Sequence, residues 1–295
     1  MTNSTGIKII SPATLRFDSF GMENLSMTLE NPANELIAKL DTETKNITLK
    51  DTSLKKIENP ELLISFGNEF IDQYGIENGA IININNRIPA LSGLGNIESN
   101  ITALALALNE LNKIHLDKNS IFRLIEKYTY DNNSQLNLSA IASNLFGGCI
   151  AYNQNIKSSI QKIYEPNGLA FSIFSFTTSF ASINDKSECN SSDIVTFIKA
   201  MMTSDVSLLK EFFHNNSLQK QWTKEGLYSE IRALAIEHDA MGIGFTDNHK
   251  SIFIISENTV IRENVDSVIT KYIKKTPLKY QYFSSGLNLN GLYKS

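Results

Sequence analysis

The chain has 295 residues, which is long enough for two modest domains or one large α/β unit with a sizeable core. Its 27 Lys and Arg against 31 Asp and Glu give a formal net charge of −4, so we expect no basic surface for nucleic acid or for an anionic membrane. No apolar run reaches the ~18 residues of a membrane-spanning helix, and the first residues lack the pattern of a signal peptide.

The first residues are typical of short strands. The segments IKII, SPATLRFDSFG and NLSMTLE favour β structure and are separated by Pro12 and Gly21. Asn59 to Gly75 has a polar start, apolar residues three and four apart and a closing glycine, which predicts a helix.

A tight glycine loop follows the next predicted strand, GAIININNRI. The loop, Gly93-Leu94-Gly95, leads into Ile101 to Leu111, whose alternating Ala and Leu predict a helix buried on most of its sides. DKNSIFRLIEKYTY predicts a further helix, with its cap among Asp117 to Ser120.

The second half mixes strands and helices without a regular βαβ rhythm, which favours an α+β fold. LSAIASNLFGGCIAYN predicts a short helix, a Gly147-Gly148 turn and a strand, and LAFSIFSFTTSF predicts an apolar strand. Helices are predicted in SSDIVTFIKAMMTSDVSLLKEFFHN, EGLYSEIRALAIEHDA and ENVDSVITKYIKK, and strands in SIFIIS and YQYFSSGLNLNGLYK.

Four segments, in this order, resemble the GHMP small-molecule kinases, most of all homoserine kinases. They are IISPATL…GMENLSM, RIPALSGLGNIESNITALALALNEL, IASNLFGGCI and EIRALAIEHDAMGIGFTDNHKSIFII. The resemblance implies an α+β fold in two parts. A GHMP-kinase-like N-terminal α+β domain with the phosphate-loop helix would span residues 1–165, and a ferredoxin-like α+β C-terminal domain residues 166–295.

The resemblance assigns nucleotide binding to the glycine loop and implies ATP and Mg²⁺ as cofactors. The residues are Ser92, Gly93, Leu94, Gly95 and Asn96. The chain departs from the family at Asn96 and Ile97, which replace a serine pair that helps to hold phosphate and magnesium. Glu98 adds a negative charge to the first helical turn, where a carboxylate competes with a bound anion. The structural alternative is a glycine turn that only lets a strand enter a buried helix.

Magnesium ligands are not apparent in the sequence, and no metal-binding residue is assigned. The family glutamate that binds magnesium falls on Thr129, and Glu126 lies three residues away. A magnesium site needs carboxylate and hydroxyl oxygens in near-octahedral geometry, and this pattern does not supply them.

The resemblance also nominates residues for substrate binding and catalysis. The substrate-binding candidates are Glu23, Asn137, Ser182, Lys186 and Lys220. The two lysines stand where the family has arginines, so charge is kept while two-pronged geometry is lost. Asp247, in the late glycine turn, is the catalytic candidate.

No other catalytic or metal-binding pattern is present. Cys149 and Cys189 lie far apart and form no metal or redox motif, so a reduced, cytoplasmic setting is expected.

Three functions stay open. The first is a divergent homoserine-kinase-like enzyme that phosphorylates the hydroxyl of a small amino acid with ATP. The second is a pseudoenzyme that binds a metabolite or a protein partner, and the third is an enzyme with different chemistry in the same cleft. The expected ligand is a small anionic metabolite or an amino acid, and a homodimer is left open.

Overall fold

The computed structural model describes residues 6–50, 57–153, 159–164, 166–180, 190–216, 226–246 and 248–295. Its helices in these ranges are α1 (Pro60–Gln73), α2 (Asn96–Leu111), α3 (Lys118–Asp131), α4 (Leu138–Phe146), α5 (Ser191–Thr203), α6 (Val206–Asn215), α7 (Gly226–Glu237) and α8 (Thr259–Ile273). Its strands are β1 (Ile7–Phe17), β2 (Met22–Asp41), β3 (Ile47–Leu49), β4 (Gly79–Asn85), β5 (Cys149–Asn153), β6 (Ser159–Ile163), β7 (Ala170–Phe176), β8 (Gly242–Phe245), β9 (Ser251–Ser256), β10 (Tyr280–Gly286) and β11 (Tyr293–Lys294). No helix in the described ranges is long and apolar enough to cross a membrane.

Among the described residues, the first sheet contains seven strands in the order β11-β1-β2-β4-β3, with β5 paired to β2 and β6 to β5. The predicted break at Pro12 is wrong, because β1 runs from Ile7 to Phe17 without interruption. Its pairing with β2 shifts register between Pro12 and Thr14, so an irregularity in the ladder accommodates the proline. Helices α1 to α4 pack against this sheet, and together they form the main hydrophobic core.

In the part of the chain that the structure describes, the second sheet contains four antiparallel strands in the order β10-β7-β9-β8. Helices separate β7 from β8 and β9 from β10, which is the connectivity of a ferredoxin-like unit. The predicted α+β class is therefore confirmed. The helices α7 and α8 cover one face of this sheet with apolar side chains.

An aromatic core joins the two sheets. Phe17 of β1 contacts Phe253 of β9 and Phe213 of α6, with ring centroids 6.1 Å and 6.4 Å apart. Leu94 of the glycine loop is fully buried in the same core, a burial that stabilises the fold by roughly 1.5–3 kcal/mol. The loop is therefore anchored at the junction of the two sheets.

The boundary between residues 165 and 166 stays a prediction. The first sheet holds β6 up to Ile163, and the second begins at Ala170. Strand β11 returns to the first sheet and pairs with β1. The prediction of a single strand across YQYFSSGLNLNGLYK is wrong. The side chain of Asn288 accepts hydrogen bonds from the N–H groups of Asn290 and Gly291, and the chain turns there between β10 and β11.

Candidate functional site

A cleft of about 540 Å³ opens in front of the glycine loop. The loop and the first turn of α2 form one wall, and the start of α1 and the approach to α4 form the others. The second part of the chain contributes Asn248. The lining residues are Arg16, Glu58, Asn59, Leu62, Leu91, Gly93, Gly95, Asn96, Ile97, Glu98, Gln135, Leu136, Ala140 and Asn248. The loop therefore faces open space, as the interpretation as a binding loop requires.

The loop keeps a conformation that depends on glycine. Gly93 and Gly95 have φ angles of +74° and +69°, in the left-handed region. A Cβ on Gly95 would lie 2.1 Å from Oγ1 of Thr14, so a side chain does not fit there. Leu91 also has a positive φ of 57°. Its N–H donates to Glu58 at 2.9 Å, and its carbonyl accepts from the Asn248 side chain.

Ser92 and Leu94 anchor the glycine loop on the side that faces away from the cleft. Ser92 is buried, and its carbonyl accepts hydrogen bonds from the hydroxyls of Thr246 and Ser251 at 2.9 Å and 2.8 Å. Neither Ser92 nor Leu94 lines the cleft, whereas Gly93, Gly95 and Asn96 do. Of the five predicted nucleotide-binding residues, these three can offer groups to a ligand.

The side chain of Asn96 is engaged inside the protein. Its Nδ2 donates to the carbonyl of Ile88 at 2.6 Å. One turn later, Asn100 donates to Oδ1 of Asn86 at 3.1 Å and accepts from Asn34 at 2.9 Å. These amides tie the start of α2 to the segment after β4. The network was missed from the sequence, although asparagines four residues apart in a buried helix were its one visible sign.

Glu98 is the acidic residue in the first turn of α2. It is 8% exposed and lines the cleft. Its Oε1 accepts the backbone N–H of Asn137 at 3.1 Å, and the carboxylate also bonds to the N–H of Glu98 itself. Burial raises the pKa of Glu98 above its ordinary value. The two hydrogen bonds and the positive charge of Arg16 partly offset this rise, and the negative charge of Glu58 adds to it.

Among the described residues, the cleft is lined by more carboxylates than cationic groups. Among the lining residues of the described ranges, the charged side chains are Arg16, Glu58 and Glu98. The guanidinium of Arg16 pairs with Asp18, Nη2 to Oδ2, at 2.5 Å. Within the described part of the cleft, the head of α2 therefore carries the carboxylate of Glu98, and Arg16 has a carboxylate partner in Asp18.

The predicted substrate-binding residues are partly located. Glu23 is exposed and does not line the cleft. Asn137 caps α4, because its Oδ1 accepts the N–H of Ala140 at 2.9 Å. Its backbone meets Glu98 at the edge of the cleft. The remaining candidates, Ser182, Lys186, Lys220 and Asp247, lie outside the described residues.

The two residues at the predicted magnesium position, Glu126 and Thr129, are engaged elsewhere in the protein. Glu126 accepts a hydrogen bond from the Tyr152 hydroxyl at 2.6 Å and pairs with Arg123 at 3.1 Å. Thr129 donates to the carbonyl of Ile125 at 2.7 Å, within its own helix. Neither Glu126 nor Thr129 lines the cleft. Within the described ranges, no group of three or more His, Cys, Asp or Glu could hold a metal.

Residues 61–143 match the family model described as the GHMP kinases N terminal domain. The match covers α1 to most of α4 and includes the whole glycine loop and α2. No curated protein matches the chain.

Solved structures of several GHMP-type enzymes share the fold. Homoserine kinase from Cytophaga hutchinsonii superposes with a TM-score of 0.87 at 17% identity, over 100% of this chain and 99% of that one. L. major mevalonate kinase in complex with R-mevalonate has a TM-score of 0.72 at 13% identity, over 95% and 96% of the two chains. Mevalonate diphosphate decarboxylase from Staphylococcus aureus has a TM-score of 0.67 at 17% identity, over 98% of each chain. The predicted resemblance is confirmed: residues 61–143 match a GHMP kinase N-terminal domain and the chain has the GHMP kinase fold.

Proposed function

We propose that this chain, which has the GHMP kinase fold, is a pseudoenzyme that binds a small amino-acid-like metabolite in the cleft and does not use MgATP. One observation carries the proposal: the carboxylate of Glu98 sits in the cleft at the head of α2.

The physical reason is competition for the same hydrogen-bond donors. The first N–H groups of a helix have no acceptor within it and favour an anion. Here the Glu98 carboxylate bonds to its own N–H and to that of Asn137. A triphosphate would have to displace it and would then share the cleft with two carboxylates.

A phosphotransferase of the homoserine kinase type is the second candidate. It is favoured by the glycine loop, whose Gly93 and Gly95 keep left-handed backbone angles and face the cleft. In that case ATP would bind at Gly93, Gly95 and Asn96, and Asp247 would remain the catalytic candidate. Within the described ranges no group of three or more His, Cys, Asp or Glu could hold Mg²⁺ for such an enzyme, so the ion would depend on the phosphates as well.

The substrate end of the proposed site rests on the lysines and the serine nominated by resemblance. An amino acid would present its carboxylate to Lys186 and Lys220, with Ser182 nearby. Charge-assisted contacts of this kind contribute about 1.5–3 kcal/mol each. Lys186→Ala and Lys220→Ala should each weaken amino-acid binding, whereas unchanged binding in both variants would remove this part of the proposal.

Calorimetric titration of the whole chain tests the two candidates against each other. We expect heat from a small hydroxy amino acid such as L-homoserine, L-threonine or L-serine, and none from MgATP at millimolar concentration. Gln135 is exposed and lines the cleft, so Gln135→Trp should weaken amino-acid binding. Gln281→Trp, at an exposed position of β10, is the matched control and should not. Tight MgATP binding by the unaltered chain would instead remove the proposal and favour the kinase.

A further inference from the structure

We propose that Glu98 is a specificity-determining residue, a built-in anion that excludes phosphorylated ligands from the head of α2. The inference deepens the proposed function and rests on it, since it identifies the class of compound that the cleft rejects.

The donors at this place are backbone groups of two separate elements. One is the N–H of Glu98, in the first turn of α2, and the other is the N–H of Asn137, at the cap of α4. Both donate to the same carboxylate. Two converging N–H groups at a helix start also suit a phosphate oxygen. The protein therefore contains an anion-binding arrangement that its own side chain already fills.

The other residues of the first turn of α2 bring no charged group to the cleft. The Asn96 side chain is turned inward to Ile88, and Ile97 brings only hydrocarbon to the cleft. Neither residue offers a charged group to an incoming phosphate. Glu98 is the acidic residue of the first turn of α2, so its ionised carboxylate places negative charge at this end of the cleft.

Glu98 also faces charged groups from other elements. Arg16 of β1 attracts its carboxylate, and Glu58, just before α1, repels it. Asp18 pairs with Arg16. Without the Glu98 charge, an anion in this place would gain the attraction of Arg16 and two open N–H groups. With the charge present, it meets both carboxylates.

Three substitutions isolate this effect. Glu98→Ser removes the carboxylate and leaves both N–H groups open, and Glu98→Gln keeps the shape and the acceptor oxygen while removing the charge. Glu61→Gln is the control for total charge, because Glu61 is an exposed first-turn residue of α1.

The probe is inorganic pyrophosphate, measured by calorimetry with the full chain. Glu98→Ser should bind it at least about tenfold more tightly than the unaltered protein, the equivalent of one charge-assisted hydrogen bond. Glu61→Gln should not differ from the unaltered protein. Equal affinity of Glu98→Ser and Glu61→Gln would overturn the inference, as would strong binding by the unaltered chain.

A second measurement keeps the test valid if Glu98→Ser does not fold. Sulfate keeps its charge over the mildly acidic range. A change in its affinity for the unaltered protein with pH therefore reports the protonation of carboxyl groups in the cleft. Binding should strengthen as the pH falls, and Glu98→Gln should abolish that dependence. If Glu58→Gln abolishes it and Glu98→Gln does not, Glu58 is the excluding group and the inference fails.

The two proposals can fail separately. Tight MgATP binding by the unaltered chain removes the proposed function, and this inference with it. Absence of both MgATP binding and any gain in Glu98→Ser leaves the metabolite-binding role in place and removes only the role of Glu98.

Discussion

The backbone N–H of Asn137 donates to Oε1 of Glu98 at 3.1 Å, which joins the cap of α4 to the first turn of α2 across one end of the cleft. The two residues are 39 positions apart. A change of the Glu98 side chain is therefore expected to affect both the stability of the fold and the chemistry of the cleft.

Removing the Glu98 charge should change the pH dependence of stability. Burial raises the pKa of Glu98 above its ordinary value of 4.5, so the folded state binds the proton more tightly than the unfolded state. The resulting stabilisation is complete below the unfolded pKa and is lost as the pH rises through the folded pKa. In urea titrations at pH values rising from the unfolded pKa through the folded pKa, the unaltered protein should lose stability relative to Glu98→Gln. A difference that stays constant, or has the opposite sign, would contradict the prediction.

Gly95→Ala should destabilise the fold more than Gly75→Ala. Both glycines have positive φ, +69° and +60°, so alanine is strained at either place by about 1–2 kcal/mol. At Gly95 the new Cβ would also lie 2.1 Å from Oγ1 of Thr14, while nothing lies within 4 Å at Gly75. Overpacking should add a further 1–3 kcal/mol, roughly. Urea denaturation measures both variants, and equal losses would mean that the loop moves to relieve the clash.

Thr14→Val and Thr28→Val should have opposite effects on stability. The two threonines are fully buried cross-strand partners in β1 and β2. Oγ1 of Thr28 donates to the carbonyl of Ser143 at 2.5 Å, whereas Oγ1 of Thr14 has no hydrogen-bond partner among the described residues. Thr28→Val should cost about 1–2 kcal/mol, and Thr14→Val should be neutral or stabilise by up to about 1 kcal/mol. Thermal and urea unfolding measure the stability of both variants. A loss in Thr14→Val comparable to that in Thr28→Val would indicate that the hydroxyl of Thr14 has a hydrogen-bond partner.

Asn34→Ala should be strongly destabilising. Asn34 is fully buried, accepts the N–H groups of Arg87 and Ile88 at 2.9 Å each, and donates to Asn100. Alanine would leave these groups without partners, at a cost of about 3 kcal/mol or more in the free energy of unfolding. The exposed Asn290→Ala is the control and should stay within about 0.5 kcal/mol.

Local patterns predicted the helices well because their determinants are close in the chain. The helix expected from Asn59 to Gly75 is α1, and Asn59 accepts the N–H of Leu62 as its cap. Asp117, expected among the caps, accepts the N–H of Ser120 at 2.7 Å. Capping and periodicity involve residues a few positions apart, so a single sequence contains the information.

Long-range contacts could not be predicted in the same way. The course of β2 to Asp41 and its pairing with β4 depend on register between distant segments. The contact of Glu98 with Asn137 depends on how two helices pack, although the unexpected charge at position 98 was visible in the sequence. The positions of Ser182, Lys186, Lys220 and Asp247 stay predictions.

The pairing of β11 with β1 bears on how the chain folds during synthesis. Ile9 pairs with Lys294, so one edge of the first sheet is completed by residues that follow the whole of the second sheet. Such distant pairing slows folding, because the closure of a very long loop must precede the contact. While the ribosome is still making the second sheet, the groups of β1 that later pair with β11 are open to other chains, which exposes this edge to aggregation.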